Sequence, residues 1–196
     1  PEYRKWEILW EHGVITGREC MERQARLIDA EAAMLRSFCK LIPIDVGIHE
    51  LNHACVETGS PVTIVSDGID FFMNAVLNAH GLEHIPHFSN HLAWDTDGNP
   101  HLTFPYGDRD CRGGCGLCKC KLVSQTPDRA RKTVYIGDGL SDVCVVRRAG
   151  RVFAKNILRD YCVNHGIAHE PFTTLADVTL SLFNGIQPEP PGRSSL

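Results

Sequence analysis

From Pro61 onward the chain alternates two hydrophobic periods. The runs 61–66, 133–137 and 151–154 are apolar at nearly every position and read as short strands buried on both faces. The stretches after them carry apolar residues three and four apart, as Phe72, Val76 and Leu77 do, which marks a helix with one packed face. Helices are therefore expected at 69–80, 141–149, 156–165 and 174–184. Strands separated by helices imply a mostly parallel sheet, so the pattern predicts an α/β fold. One segment departs from this scheme. His87 to Trp94 and His101 to Phe104 alternate around Asp97-Gly98, which signals a β-hairpin.

The first 58 residues carry only the helical period. Thr16 and Glu19 form a capping box that opens a helix from Gly17 to about Ala30. Further helices are expected over 31–41 and 46–57, with Pro43 and Gly59 as breaks. Leu27, Met34, Leu35 and Phe38 are the expected core positions here, and Trp6 and Trp10, one helical turn apart, are expected to pack with them. The resulting plan is a helical region at 1–58, an α/β core at 59–186 with a hairpin and a Cys-rich loop, and a tail at 187–196. Pro188, Pro190, Pro191 and Gly192 make that tail a candidate for disorder.

Composition narrows the partners. At 196 residues, 43% of them hydrophobic, the chain can bury a core as one domain with a small accessory piece. A net charge of −4 without a long basic run argues against nucleic acid or an anionic membrane surface. No apolar stretch is long enough to span a bilayer. Oligomeric state is not encoded in any readable pattern.

Two of the apolar runs end in chemistry. In an open α/β sheet, ligands gather at the carboxyl ends of the strands. The run ending at Ile136 leads into Gly137-Asp138-Gly139-Leu140-Ser141-Asp142. Asp138 there is a hard oxygen ligand suited to Mg²⁺. The run ending at Val65 leads into Ser66-Asp67-Gly68, a hydroxyl with backbone N–H groups at a helix start, which suits an anion. Lys119, in Cys118-Lys119-Cys120-Lys121, supplies a cation between them in sequence. Taken singly, these residues read as a helix cap, a turn and a solvated loop charge. The ordered set reads as a phosphate-plus-metal constellation.

That order resembles motifs two, three and four of the haloacid dehalogenase superfamily, and most closely its phosphoserine-phosphatase-like branch. The Cys-rich lead-in to the lysine resembles two groups within that branch. These are the 2-hydroxy-3-keto-5-methylthiopentenyl-1-phosphate phosphatases and the phosphoethanolamine/phosphocholine phosphatases. Phe153 to Asp160 and His169 to Val178 look more like the first group. The resemblance implies a Rossmann-like three-layer sandwich with a mostly parallel sheet and a small helical cap. It implies a cytoplasmic, Mg²⁺-dependent phosphatase of a small phosphorylated metabolite, acting through an aspartyl-phosphate. Asp138 would hold the metal, and Asp142 would orient Lys119 or a metal-bound water. Ser66, Asp67, Gly68, Lys119 and Ser141 would bind phosphate. Lys119 fits the spacing better than Lys121. The superfamily's first motif, Asp-x-Asp-x-Thr/Val, does not precede the helical stretch at Glu2, so the nucleophile is expected upstream of Pro1. The alternatives are a non-catalytic phosphate- or metal-binding module and a zinc-stapled interaction module. Leu92 to Asn99 holds an Asp-x-Asp, but it follows Ser66 and ends in Asn99, so the hairpin reading is preferred.

Nine cysteines remain. Beside a phosphate site they read as reduced thiols. Cys111, Cys115, Cys118 and Cys120 could alternatively hold Zn²⁺ or a local disulfide, although four ligands within ten residues fit a tetrahedral site poorly. Cys20, Cys39, Cys55, Cys144 and Cys162 fall in helical patterns and are expected as small buried hydrophobes. His80, His84, His87, His91 and His101 follow no metal-ligand spacing.

Overall fold

The computed structural model describes residues 1–97, 99–111, 114–123 and 127–183. The tail at 187–196 and the hairpin residue Gly98 lie outside them. Four helices come first: α1 (Glu2–Glu11), α2 (Gly17–Ala25), α3 (Ala32–Cys39) and α4 (Ile48–Glu57). Then follow β1 (Ile64–Ile69), α5 (Asp70–Ala79), β2 (His87–Trp94) and β3 (Pro100–Thr103). The short helices α6 (Lys119–Val123) and α7 (Pro127–Lys132) lead to β4 (Val134–Gly137). A 3₁₀ turn at Leu140–Asp142 precedes β5 (Arg151–Ala154), α8 (Asn156–Asn164), β6 (Glu170–Pro171) and α9 (Leu175–Phe183).

Among the described residues the strands form two three-stranded sheets, ordered β1-β2-β3 and β4-β5-β6. β1 and β2 run parallel, with a register shift between Val65 and Ile69. β2 and β3 form the expected antiparallel hairpin, Trp94 opposite Pro100. Asp95 closes its turn by accepting the N–H groups of Asp97 (2.9 Å) and Asn99 (2.8 Å), so this carboxylate is committed to the hairpin. β4, β5 and β6 are all parallel. The core beside them holds Val145, Val146, Val152, Ala154, Leu158 and Cys162. The mostly parallel α/β fold is thus as the periodicity predicts.

Contacts divide the chain into two units. One comprises residues 1–43 with 63–171 and contains both sheets. The other comprises 44–62 with 172–183. In it α4 packs on α9, and Asp45 Oδ1 accepts the N–H groups of Gly47 and Leu175, each at 3.0 Å.

Several local expectations need correction. The helix expected at 141–149 is a single 3₁₀ turn followed by turns. Val143, Val145 and Val146 are β-branched and disfavour a helix there, and the Asp142 carboxylate folds back onto the N–H groups of Asp138 and Gly139. β1 continues to Ile69, so Ser66-Asp67-Gly68 lies in the irregular end of the strand and not at a helix start. In α3, Met34 (66%) and Phe38 (65%) are exposed. The packed stripe is half-buried Leu35 with buried Cys39, against α5. Leu27 is likewise exposed.

Candidate functional site

Asp142 anchors the site. Its side chain is 6% exposed and all its acceptor positions are used. Oδ1 takes the Lys119 ammonium as an ion pair and the Tyr135 hydroxyl at 2.7 Å. Oδ2 takes the N–H groups of Asp138 (3.1 Å) and Gly139 (3.0 Å), which folds the Gly-Asp-Gly turn around the carboxylate. Burial pushes the Asp142 carboxyl upward, but the Lys119 charge and these donors outweigh it and hold the group below the ordinary carboxylate range. Burial and the neighbouring Asp142 charge push the Tyr135 phenol upward, so it remains a donor.

Lys119 is the first residue of α6 and is buried, whereas Lys121 is exposed. Its ammonium also donates to Ser141 Oγ at 2.9 Å. Lys119, Ser141 and Asp142 are therefore brought together as a hydrogen-bonded group, with Asp138 joined to it through its backbone. Among the described residues the Asp138 carboxylate takes no hydrogen bond or ion pair. It stands exposed at the carboxyl end of β4, open to a ligand. One or two carboxylates completed by phosphate oxygens and water suit Mg²⁺, so this donor fits that ion. Among the described residues, no group of three or more His, Cys, Asp or Glu side chains is arranged to hold a metal.

Ser66 is not in direct contact with this group. Its Oγ accepts the Gly68 N–H at 3.0 Å, so that N–H, expected to meet phosphate, is engaged within the turn. Asp67 makes the connection instead. Its Oδ1 accepts the Leu117 N–H at 2.8 Å, two residues before Lys119. Asn90, fully buried in β2, donates Nδ2 to the Asp67 carbonyl at 2.8 Å and to Oδ1 at 3.2 Å. Gly116 fits this crossing because a Cβ there would fall 2.7 Å from Asn90 Nδ2 and 2.9 Å from Asp67 Oδ1. Sequence reasoning missed Tyr135, Asn90 and the carboxylate of Asp67. Tyr135 had a usable signal, since it lies two residues before Gly137 and so on the same strand face. Asn90 had only its place as a polar residue within an apolar alternation.

The four loop cysteines do not converge on one another. They are free thiols, Cys115 and Cys118 buried and Cys111 and Cys120 half-buried. Cys144 lies in a turn and is half-buried, unlike the buried helical cysteines Cys20, Cys39, Cys55 and Cys162. Of the histidines, His91 pairs with Asp70 at 2.5 Å, His80 Nε2 bonds to the Ile42 carbonyl at 2.9 Å, and His87 Nε2 bonds to Asn74 at 2.8 Å.

The fold is that of the haloacid dehalogenase-like phosphoserine phosphatases. A phosphoserine phosphatase solved as a phospho-aspartyl intermediate analogue matches with a TM-score of 0.60 at 20% identity, over 82% of this chain and 77% of that one. A phosphoserine phosphohydrolase-like protein from Francisella tularensis matches with a TM-score of 0.64 at 21% identity, over 92% and 83%. The chain belongs to the family described as Putative Phosphatase, whose model matches residues 19–181. Two 2-hydroxy-3-keto-5-methylthiopentenyl-1-phosphate phosphatases are similar to it in sequence. The one from Geobacillus kaustophilus is 35% identical over 134 residues, 67% of this chain and 60% of that protein. The one from Bacillus velezensis is 32% identical over 127 residues, 64% of this chain and 53% of that protein. The chain thus spans a little over half the length of these curated relatives.

Proposed function

We propose that the protein is a Mg²⁺-dependent phosphomonoesterase of a small phosphorylated metabolite. It works through an aspartyl-phosphate intermediate. The observation that carries this reading is the buried Lys119 ammonium, fixed by Asp142 and Ser141, with Asp138 tied to Asp142 through its backbone N–H. Phosphoryl transfer spreads negative charge over the phosphate oxygens, and positioned charge is the main means of stabilising it.

In this reading Asp138 holds Mg²⁺, which when bound neutralises phosphate charge. Lys119 places a second positive charge on the phosphate. Asp142 keeps Lys119 aimed, while Ser66 and Ser141 offer hydroxyl donors to the phosphate oxygens. The helical region at 1–58 serves as the cap that selects the substrate. The names of the relatives put 2-hydroxy-3-keto-5-methylthiopentenyl 1-phosphate first among substrates to try. The reduced state of the nine cysteines fits a cytoplasmic location.

The test uses the full natural chain with Mg²⁺ and measures release of inorganic phosphate from that ester, phosphoserine and phosphoethanolamine. Asp138→Asn should abolish Mg²⁺-dependent release. Unchanged turnover in that variant would sink the assignment. Phosphate binding without any release would instead mark a binding module.

A further inference from the structure

Arg18 stands where local helix chemistry does not favour it. It is the second residue of α2, and a cation in a helix's first turn opposes the positive end of the dipole. Its contacts supply the reason. The Arg18 N–H, a free donor of that turn, donates to the Gly114 carbonyl at 3.1 Å. Its half-buried side chain donates Nε to the Cys115 carbonyl and Nη2 to the Asp108 carbonyl, each at 2.9 Å. The guanidinium also lies 5.7 Å over the Phe104 ring. Gly107 leaves room for it, since a Cβ there would fall 2.5 Å from Nη2. Met21 lies three residues along, on the same face of α2. Its sulfur accepts from Asn90 Nδ2 at 3.7 Å, so α2 also touches the crossing of Asn90 and Asp67.

The loop so held is the one that delivers Lys119. Its far end is tied by Asp67, which accepts the Leu117 N–H at 2.8 Å, and by the Tyr106 carbonyl, which accepts the Cys118 N–H at 2.9 Å. Its middle, at Asp108, Gly114 and Cys115, is tied by Arg18. We propose that Arg18 is a positioning residue that ties α2 to the Cys-rich loop and so sets Lys119 against Asp142. Among the described residues Arg18 bonds to neither side chain of that pair. It acts through the backbone that runs from Cys115 to Lys119.

The planar guanidinium is what allows one side chain to close two carbonyls at fixed positions. A lysine there keeps the charge but offers a single point donor on a flexible stem. Without the fork, the loop loses its middle anchor while the pull of Asp67 on Leu117 remains. A displacement of about 1 Å in a positioned catalytic group costs roughly a hundredfold in rate. The effect on turnover rests on the phosphatase reading, whereas the tie between α2 and the loop does not.

The experiment compares the full natural chain with Arg18→Ala and Arg18→Lys by amide hydrogen exchange and by Mg²⁺-dependent phosphate release. Arg18→Lys keeps the backbone bond to Gly114, so it serves if the alanine variant does not fold. In both variants the amides of Leu117 and Cys118 should exchange roughly tenfold faster or more, as expected for local opening of the loop. The amide of Tyr135 in β4 should keep its rate. The kcat should fall by roughly tenfold or more, with a smaller change in KM. In a Lys119→Arg background, where the cation is already displaced, Arg18→Ala should add little further loss, because the two changes act on one group. Unchanged exchange at Leu117 and Cys118, or equal acceleration at Tyr135, would overturn the tie. Faster loop exchange with unchanged turnover, with a loss carried by KM alone, or with the full loss repeated in the Lys119→Arg background, would overturn the positioning role. A natural chain that releases no phosphate would count against the phosphatase reading, and the exchange rates would still decide whether Arg18 holds the loop.

Discussion

Lys119 and Asp142 pair out of water: each side chain is 6% exposed, and the ammonium rests on Asp142 Oδ1. Such a pair is strongly destabilising to break, because one partner removed leaves the other as an uncompensated buried charge. Asp142→Asn keeps the shape and removes the charge. It should lower unfolding free energy by about 3–5 kcal/mol, measured by urea denaturation at pH 7. A loss below about 1 kcal/mol, the level of exposed pairs, would show that water reaches the pair.

The same pair sets a pH window. The Asp142 carboxyl titrates lower in the folded chain than in the unfolded one. As pH falls, the unfolded chain takes up this proton first, near the ordinary Asp value of about 3.9, and unfolding is favoured. The stabilisation is therefore fully present above that pH and is lost as pH falls through the folded value. Denaturation curves collected from pH 7 downward should show the gap between the natural chain and Asp142→Asn closing below about pH 4. Glu19, Asp95 and Asp177 also titrate low, but they persist in both proteins and cancel in the comparison.

Gly137 is required by its neighbours. A Cβ there would fall 2.7 Å from Asp142 Oδ2 and 2.9 Å from Tyr135 Cε1. Four donors hold the Asp142 carboxylate, so it has little room to yield. Gly137→Ala should cost about 1–3 kcal/mol by overpacking, read as a lower thermal midpoint, and should weaken phosphate release more than it weakens folding. An alanine variant as stable as the natural chain would mean that the turn relaxes without disturbing the carboxylate.

What the sequence disclosed follows from the range of the interactions involved. Strands β4 and β5, helix α5 and the hairpin are written in local hydrophobic period and turn chemistry, so they are legible. Lys119, Ser141 and Asp142 were reachable because each stands beside a strand end or in an ordered set. The contacts that join them are not local. Asp67 meets Leu117, and Asn90 meets Asp67, only because β1, β2 and the Cys loop come together in the fold. The periodic pattern at 141–149 misled for a related reason. The Asp142 carboxylate folds back on Asp138 and Gly139, so a side-chain contact that the spacing does not encode takes over the start of the segment. In α3, the choice between the Met34/Phe38 and Leu35/Cys39 stripes depends on where α5 lies, which one helix cannot specify.

Asp67 is the tether between the Ser66 turn and the loop that delivers Lys119. Its Oδ1 satisfies the N–H of Leu117, a fully buried residue, and takes a second bond from Asn90. Removing the carboxylate leaves a buried backbone donor without its partner, which costs about 1–3 kcal/mol. Much of that cost can be relieved by local opening of the Cys loop instead of global unfolding. Asp67→Ala should therefore expose Cys115 and Cys118, buried in the natural chain, to a thiol reagent. Their labelling in native buffer should accelerate by roughly tenfold or more, as expected for 1.4 kcal/mol or above of lost local stability. Cys162, buried beside β5 and far from the tether in sequence, should label at its original slow rate. Equal acceleration at all three cysteines would point to global destabilisation and remove the tether from the description of the site.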